Sequence, residues 1–228
     1  MAYATKYKII IVFFDISHQR YYNIVTVYFQ EVAMDNTKRK KGKSLLGFPS
    51  DYCVVDIETT GLSSVFNEII EISAVRYRNF KKDETFSTLI KPVKKIPSFI
   101  TRLTGISNSM VENAPDIESA VMDFYNFLGN DIIMGYNVNF DINFLYDFLL
   151  RKHDIILGND YLDVLRFSRL ALPQLSSRSQ TSVADYYGIN VKGAHRAEVD
   201  CEICNSCYLK LKDEPSVIEA VNKRAKKK

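Results

Sequence analysis

Four acids and one histidine are the residues of this sequence whose types and spacing could do chemistry. Two of the acids stand two positions apart, a third follows an Asn-Phe pair, and the fourth follows the histidine by five residues. The five residues are Asp56, Glu58, Asp141, His195 and Asp200. Hard divalent cations prefer carboxylate oxygens, and an imidazole can take a proton from water near neutral pH. The pattern therefore predicts a divalent-metal site.

The first two acids are predicted to share one face of a strand. Asp56 lies in an apolar run, Tyr52–Ile57, and Glu58 directly follows that run. Successive side chains of a strand alternate between its faces, so residues i and i+2 project to the same side. Two adjacent carboxylates repel each other unless a cation lies between them. Two solvated acids at a strand end are the alternative that this pair alone leaves open.

The other acids are predicted near the starts of two helices. Asp141 follows a short apolar strand, Ile132–Tyr136, and opens a stretch whose phenylalanines recur every fourth residue, which predicts that these rings are core. Asp200 lies in a stretch with helical apolar spacing, Ala197–Leu211, after a loop that contains His195. Because a helix N-terminus favours a carboxylate, simple capping is the alternative role for Asp141.

The order of these clusters resembles that of the DEDDh exonuclease superfamily. The shared motifs are D-x-E at Asp56–Glu58, N-x-N-F-D at Asn137–Asp141 and H-x-x-x-x-D at His195–Asp200. The sequence is most similar to the exonuclease domain of the proofreading (epsilon) subunit of bacterial DNA polymerase III, over residues 51–211. Three motifs in one order are far more specific than any single motif. One departure is Tyr136, where many members have histidine before the asparagine.

The resemblance implies the ribonuclease H-like fold and a 3′→5′ exonuclease that releases nucleoside monophosphates from DNA 3′ ends. It implies that Asp56, Glu58 and Asp200 hold the ion that activates water. Asp56 would bridge to a second ion, which Asp141 would support directly or through water. Two Mg²⁺ or Mn²⁺ ions can stabilise both the attacking and the leaving oxygen of a phosphoryl displacement. His195 would be the general base.

The resemblance also implies which residues contact substrate. The turn after the first motif would approach the terminal nucleotide, with Gly61 allowing a close backbone approach and Leu62 packing on the last base. The expected substrate residues are Thr59, Thr60, Gly61, Leu62, Asn137 and His195. The expected partner is a single-stranded or frayed DNA 3′ end. Since the sequence contains no polymerase motif, a polymerase partnership would have to be made in trans.

Composition agrees with a globular enzyme without discriminating among enzymes. The chain has 228 residues, of which 46% are hydrophobic, and its net charge is +3. The surface is therefore not broadly basic, and the basic runs at Lys38–Lys43 and Lys223–Lys228 are interpreted as a solvated linker and tail.

The cysteines do not predict a metal centre, and the apolar N-terminal run does not predict a membrane segment. Cys201, Cys204 and Cys207 form C-x-x-C-x-x-C, but a ferredoxin-type run would need a fourth cysteine and a proline after it. Their helical spacing favours buried thiols, which fits a reducing cytoplasm. The apolar run Tyr7–Ile16 is too short to span a bilayer.

Periodicity predicts an α/β fold with a mixed central sheet flanked by helices. The chain divides into an N-terminal extension of uncertain structure (1–50), an exonuclease domain (51–212) and a basic C-terminal tail (213–228). Further predicted strands are Ile69–Arg76 and Glu84–Ile90. The predicted helices are Ile117–Leu128, Asn139–Arg151, Val164–Leu172, Thr181–Tyr187 and Ala197–Lys212.

Two questions stay open at this point. Met34 precedes a polar, basic stretch and is a candidate translation start, whereas the competing interpretation is a hairpin over residues 7–32. The alternative functions are an RNA 3′-exonuclease, because the same motifs serve both polymers, and a catalytically weak module that binds a polymerase or repair partner. The intact set of five residues argues against the weak module.

Overall fold

The computed structural model describes residues 7–15, 20–29 and 39–226. The chain forms two compact units, the first ending at Arg39 and the second beginning at Lys40. In the first unit, β1 (Tyr7–Asp15) and β2 (Arg20–Phe29) pair in antiparallel orientation. This strand pair agrees with the hairpin interpretation of the N-terminal segment. Met34, the candidate translation start, lies outside the described residues.

A six-stranded mixed sheet forms the centre of the second unit. Its strands are β3 (Ser44–Leu45), β4 (Tyr52–Thr59), β5 (Ile69–Arg78), β6 (Lys81–Leu89), β7 (Ile133–Gly135) and β8 (Tyr161–Asp163). Their spatial order is β3-β8-β7-β4-β5-β6. In this spatial order the pairs β3–β8, β8–β7 and β7–β4 are parallel, and the pairs β4–β5 and β5–β6 are antiparallel. Strand β4 therefore joins the parallel half of the sheet to the antiparallel half.

Seven helices accompany this sheet in the described residues. They are α1 (Ser98–Thr104), α2 (Ile117–Leu128), α3 (Asn139–His153), α4 (Val164–Ala171), α5 (Gln180–Tyr186), α6 (Ala197–Leu211) and α7 (Pro215–Ala225). The predicted α/β class, with helices flanking a mixed sheet, is confirmed. None of these helices, over the part of the chain that the structure describes, is long and apolar enough to cross a membrane.

Both faces of the sheet are covered by apolar cores. Val55 faces a core that contains Phe124 of α2, whereas the adjacent Val54 faces a core that contains Phe167 of α4 and Cys204 of α6. Because neighbouring side chains of a strand alternate, a strand buried on both faces reads as a continuous apolar run. The continuous apolar run therefore predicts β4. The two acids of the strand lie in its second half, where its burial is incomplete.

The segments before and after the main motifs differ from the prediction. Residues interpreted as an extension contribute β3, which pairs in parallel with β8, and residues interpreted as a basic tail form α7, whose Val217 is buried. Arg224 of α7 donates a hydrogen bond to the carbonyl of Ser44 at 2.9 Å. A Cβ atom at Gly42 would lie 2.2 Å from the carbonyl oxygen of Asn159, so this approach requires glycine. Residues 40–50 and α7 thus belong to the packed unit.

Two shortened chains test this boundary. A chain that begins at Met34 retains β3 and the whole second unit, so its thermal midpoint should stay within a few degrees of the full-length value. A chain that begins at Asp51 loses β3 and the partner of Arg224, so its midpoint should fall by roughly 5 °C or more. Calorimetry or thermal circular dichroism measures both. Equal midpoints for the two chains would show that β3 is dispensable.

Candidate active site

Strand β4 brings Asp56 and Glu58 to one point at the centre of the sheet. The strand pairs with β5 along its whole length and with β7 at Cys53 and Val54, so both acids follow the segment that is paired on both sides. Ligand atoms of Asp56, Glu58 and Asp200 lie within 4.8 Å of one another, and all three residues are half-buried. Three carboxylates at this separation form a suitable set of oxygen donors for a hard divalent cation.

Asp141 reaches the same place from the start of α3. Strand β7 runs parallel to β4, and α3 begins four residues after β7 ends, so the first turn of the helix lies beside the end of β4. The backbone N–H of Ile57 donates to Asp141 Oδ1 at 3.1 Å, and Asp141 is 4% exposed. Asp141 is outside the three-acid cluster, and one of its oxygens is already occupied by this hydrogen bond.

Helix α6 supplies Asp200 because it packs directly on the sheet. Cys201 is fully buried, and its thiol donates to the carbonyl of Val54 at 3.5 Å. Asp200 Oδ2 accepts a hydrogen bond from the backbone N–H of His195 at 2.8 Å. Gln180 Nε2 donates to Asp200 Oδ1 at 3.1 Å and to its carbonyl oxygen at 2.9 Å. The Asp200 side chain is therefore fixed from two directions.

His195 lies exposed in the loop before α6. Its backbone is left-handed, with φ at 70°, and Gly193 in the same loop has φ at 89°. The side chain lines a cleft of about 270 Å³ together with the four acids. The structure thus brings together all five residues that were predicted for the chemistry, although the roles expected for them stay predictions.

Burial and mutual repulsion make the ionised form of these acids unfavourable. Burial, and then the charges of Asp141, Asp200 and Glu58, raise the pKa of Asp56 well above its usual value. Burial and the neighbouring acids raise the pKa of Glu58 to about 8. Burial also raises the pKa of Asp141, against the hydrogen bond from Ile57, and that of Asp200, against the one from His195. A bound cation would relieve this repulsion, so the residues fit a metal ion.

The turn after β4 is tied together by its own hydrogen bonds. Thr59 Oγ1 donates to the carbonyl of Gly61 at 2.6 Å, and Thr60 Oγ1 accepts from the Glu68 N–H at 2.9 Å, so both buried threonines are engaged. A Cβ atom at Gly61 would come within 2.6 Å of the Asn67 side chain, which explains the glycine locally. Leu62 is 87% exposed. Residues 59–62 do not line the cleft, and among them Leu62 projects into solvent.

The opposite wall of the cleft includes Asn137 and Tyr136. Asn137 has a left-handed backbone, with φ at 61°, and its N–H donates to Asp163 Oδ1 at 2.9 Å. The hydroxyl of Tyr136 donates to the carbonyl of Arg178 at 2.7 Å. The tyrosine that departs from the family pattern therefore anchors the segment before α5, which is part of the cleft wall.

Sequence reasoning missed several residues of the cleft. They are Ile57 of β4, Tyr136 between β7 and α3, Phe140 of α3, and Ser179, Gln180 and Thr181 at the start of α5. Phe144 and Phe148 are buried as predicted, whereas Phe140 is only partly buried and faces the cleft. The helical spacing of the phenylalanines was the available signal, and it does not distinguish the end of a core stripe from a site wall.

The four cysteines are free thiols that are all buried. Among the described residues, the group with metal-ligand spacing contains acids and no cysteine. The C-x-x-C-x-x-C pattern therefore reflects packing of α6 against the sheet, in agreement with the prediction.

Comparison with known proteins identifies the family. The RNase_T family model, described as Exonuclease, matches residues 53–208. The chain is 34% identical over 194 residues to a PolC-type DNA polymerase III of Caldanaerobacter subterraneus, covering 84% of this chain and 14% of that protein. It is 32% identical over 163 residues to DNA polymerase III subunit epsilon of Aquifex aeolicus, covering 72% of this chain and 81% of that protein. The chain belongs to the exonuclease family.

Solved structures agree on the fold. E. coli exonuclease I, in complex with a dA16 oligonucleotide, superposes with a TM-score of 0.64 at 19% identity, over 75% of this chain and 43% of that one. Exonuclease X, in complex with 5′ overhanging duplex DNA, gives a TM-score of 0.57 at 22% identity, over 72% and 92%. These structures confirm the ribonuclease H-like fold, and the exonuclease family model together with the epsilon-subunit relative confirms the resemblance to DEDDh exonucleases.

The raised pKa values predict how stability depends on pH. Without metal, the folded protein retains protons on Glu58 and Asp141 that the unfolded chain releases near pH 4. The free energy of unfolding should therefore fall as pH rises from about 4 to about 8. Glu58→Gln should remove roughly 1 kcal/mol or more of that loss, and the matched control Asp123→Asn, at an exposed acid of α2, should remove none. Urea unfolding in chelator at pH 5 and pH 8 measures this change in the free energy of unfolding. An equal change in wild type and in Glu58→Gln would contradict the prediction.

Proposed function

We propose that this chain is a divalent-metal-dependent 3′→5′ exonuclease that removes nucleoside monophosphates from DNA 3′ ends. The observation that carries the proposal is the cluster of Asp56, Glu58 and Asp200, whose ligand atoms lie within 4.8 Å of one another in a cleft that His195 also lines. Three acids held together with raised pKa values are unfavourable unless a cation binds between them. Metal-assisted hydrolysis does require such a set.

The residues of the chain divide the work of hydrolysis. Asp56, Glu58 and Asp200 would hold the metal, with Asp141 beside them, and the bound ions would supply charge stabilisation for the attacking and leaving oxygens. His195 takes the proton from the water that attacks the terminal phosphodiester. The bond from phosphorus to the 3′ oxygen of the penultimate nucleotide breaks, that oxygen gains a proton, and the terminal nucleotide leaves as its 5′-monophosphate.

The reaction favours a chain end that has left the duplex. Reaction at the last phosphodiester requires the terminal base to be unstacked, which costs energy when that base is paired. Leu62 is exposed at 87% and follows Glu58 by four residues, so it would be available to cover the apolar face of a base. Thr59, Thr60 and Gly61 would shape this turn, and Asn137 would contact the nucleotide from the other wall.

We also propose that the chain works with a DNA polymerase and that it acts in the cytoplasm. The polymerase names of the relatives support the first point, although this chain spans 14% of the first of them. The four buried free thiols support a reducing compartment. Mg²⁺ and Mn²⁺ both suit an all-oxygen donor set, so either ion would serve.

Metal dependence is the central test of this function. Purified protein and single-stranded DNA labelled at the 5′ end should give a ladder that shortens from the 3′ end with Mg²⁺ or Mn²⁺ and stops with chelator. Asp56→Asn should lower the rate by about 10³-fold or more, because this residue would serve both ions. Asp123→Asn, at an exposed acid far from the cluster in sequence, should keep the wild-type rate. Activity that survives both chelator and Asp56→Asn would refute the proposal.

Substrate class is the second test. Single-stranded DNA and mismatched 3′ ends should be degraded faster than blunt duplex DNA, and faster than RNA of the same sequence. The comparison uses one sequence in all four forms, under one metal concentration. Faster cleavage of the RNA would assign the chain to the alternative function of an RNA 3′-exonuclease. Binding of DNA without any cleavage would instead favour the weak binding module.

A further inference from the structure

One buried acid next to the site is not used by the chemistry described above. Glu71 of β5 is 1% exposed and stands directly opposite Glu58 in the antiparallel ladder of β4 and β5. A fifth carboxylate at this position would be expected to join the metal site or to be neutralised. Its contacts decide between these roles.

Both oxygens of Glu71 are occupied by the loop before α6. Arg196 donates to Oε1 from Nη2 at 2.7 Å and from Nε at 3.2 Å, and the backbone N–H of Ala197 donates to Oε2 at 3.0 Å. Arg196 is the first residue after His195, and Ala197 is the first residue of α6. The acid therefore caps the helix from a neighbouring strand and is outside the group of metal-binding acids.

The contacts of Glu71 with the loop lie next to His195, whose backbone conformation must be stabilised by its neighbours. His195 is exposed, and its left-handed backbone is a strained conformation for a residue other than glycine. Its N–H is held by Asp200, and the next two residues are held by Glu71. The loop is thus fixed on both sides of the histidine, at one side by a metal-binding acid and at the other by a buried ion pair.

We propose that Glu71 and Arg196 are a pair of positioning residues that holds the His195 imidazole over the acid cluster. The inference rests on the proposed role of His195 as general base. Arginine suits this position because its planar guanidinium donates from Nη2 and Nε to the same carboxylate. The Arg196 side chain is 44% exposed, whereas that of Glu71 is buried. The buried carboxylate therefore fixes the loop from the side of the sheet.

Kinetics in two backgrounds test the pair. Arg196→Ala and Glu71→Gln should each lower kcat by about 10- to 100-fold, since small misplacements of a catalytic group have effects of this size. KM and the Mn²⁺ affinity, measured by titration, should stay within about twofold. In the His195→Ala enzyme the same two substitutions should change the residual rate by less than about twofold, because the group that they position is absent. Arg196→Lys keeps the charge without the fork, so it should recover part of the rate.

Controls separate positioning from other roles of Arg196. Lys192→Ala removes an exposed cation of the same loop and should leave kcat unchanged. A raised KM in Arg196→Ala, or an equal loss in the His195→Ala background, would mean that Arg196 binds substrate or supports the metal, and would overturn the inference. If Glu71→Gln fails to fold, Arg196→Ala still decides, because Arg196 is half exposed.

A readout without catalysis distinguishes this inference from the proposed function. The chain has 3 histidines, so the imidazole signals of His195 in a heteronuclear NMR spectrum can be assigned with His195→Ala. Arg196→Ala should shift and broaden those signals in the presence of chelator, whereas Lys192→Ala should not. Unchanged His195 signals would overturn the positioning role even if the enzyme were active, and a shift would support it even if the proposed substrate were wrong.

Discussion

Repulsion among carboxylates is the interaction on which the rest of this structure depends. Ligand atoms of Asp56, Glu58 and Asp200 lie within 4.8 Å of one another, with Asp141 buried beside them. The fold holds these acids together although burial and mutual repulsion make their ionised forms unfavourable and raise their pKa values. Such an arrangement is possible only if the surrounding elements are stable enough to tolerate it. The double-sided core around β4 provides that stability, since hydrophobic burial is the dominant favourable contribution to folding.

Each acid is delivered by a different kind of connection. Asp56 and Glu58 come from the strand at the centre of the sheet, Asp141 from the helix that follows a parallel neighbour, and Asp200 from a helix packed across the strands. Hydrogen bonds from Ile57, His195 and Gln180 then fix the individual oxygens. The site therefore depends on the relative placement of three elements that are distant in sequence.

The sequence allowed the main elements and the chemical residues to be predicted, and the reason is local periodicity. Strand β4, helix α3 and helix α6 have patterns long enough to recognise, and the five chemical residues lie in these elements or in the loop before α6. Strands β3 and β8 have two and three residues, too few for any period to be visible. Helix α7 was missed because its lysines and arginine suggested a solvated tail, although Val217 is buried.

The remaining site residues could not be predicted because they depend on tertiary contacts. Gln180 reaches Asp200 across twenty residues, and Glu71 reaches Arg196 across 125. Nothing in either local sequence marks these residues as part of a site. Likewise, Phe140 belongs to the same helical repeat as the buried Phe144. It borders the cleft because the start of α3 lies beside the end of β4, which is a tertiary contact.

The hydrogen bond between Arg224 and Ser44 has a consequence for how such a domain can be carried by larger proteins. It joins the helix through which the chain leaves the unit to the strand through which the chain enters. Entrance and exit therefore lie at one edge of the sheet, on the side of β3 and β8. A fold with adjacent ends can be inserted into a host chain without stretching either connection. This geometry suits a domain that matches 14% of the length of a relative, the PolC-type DNA polymerase III of Caldanaerobacter subterraneus.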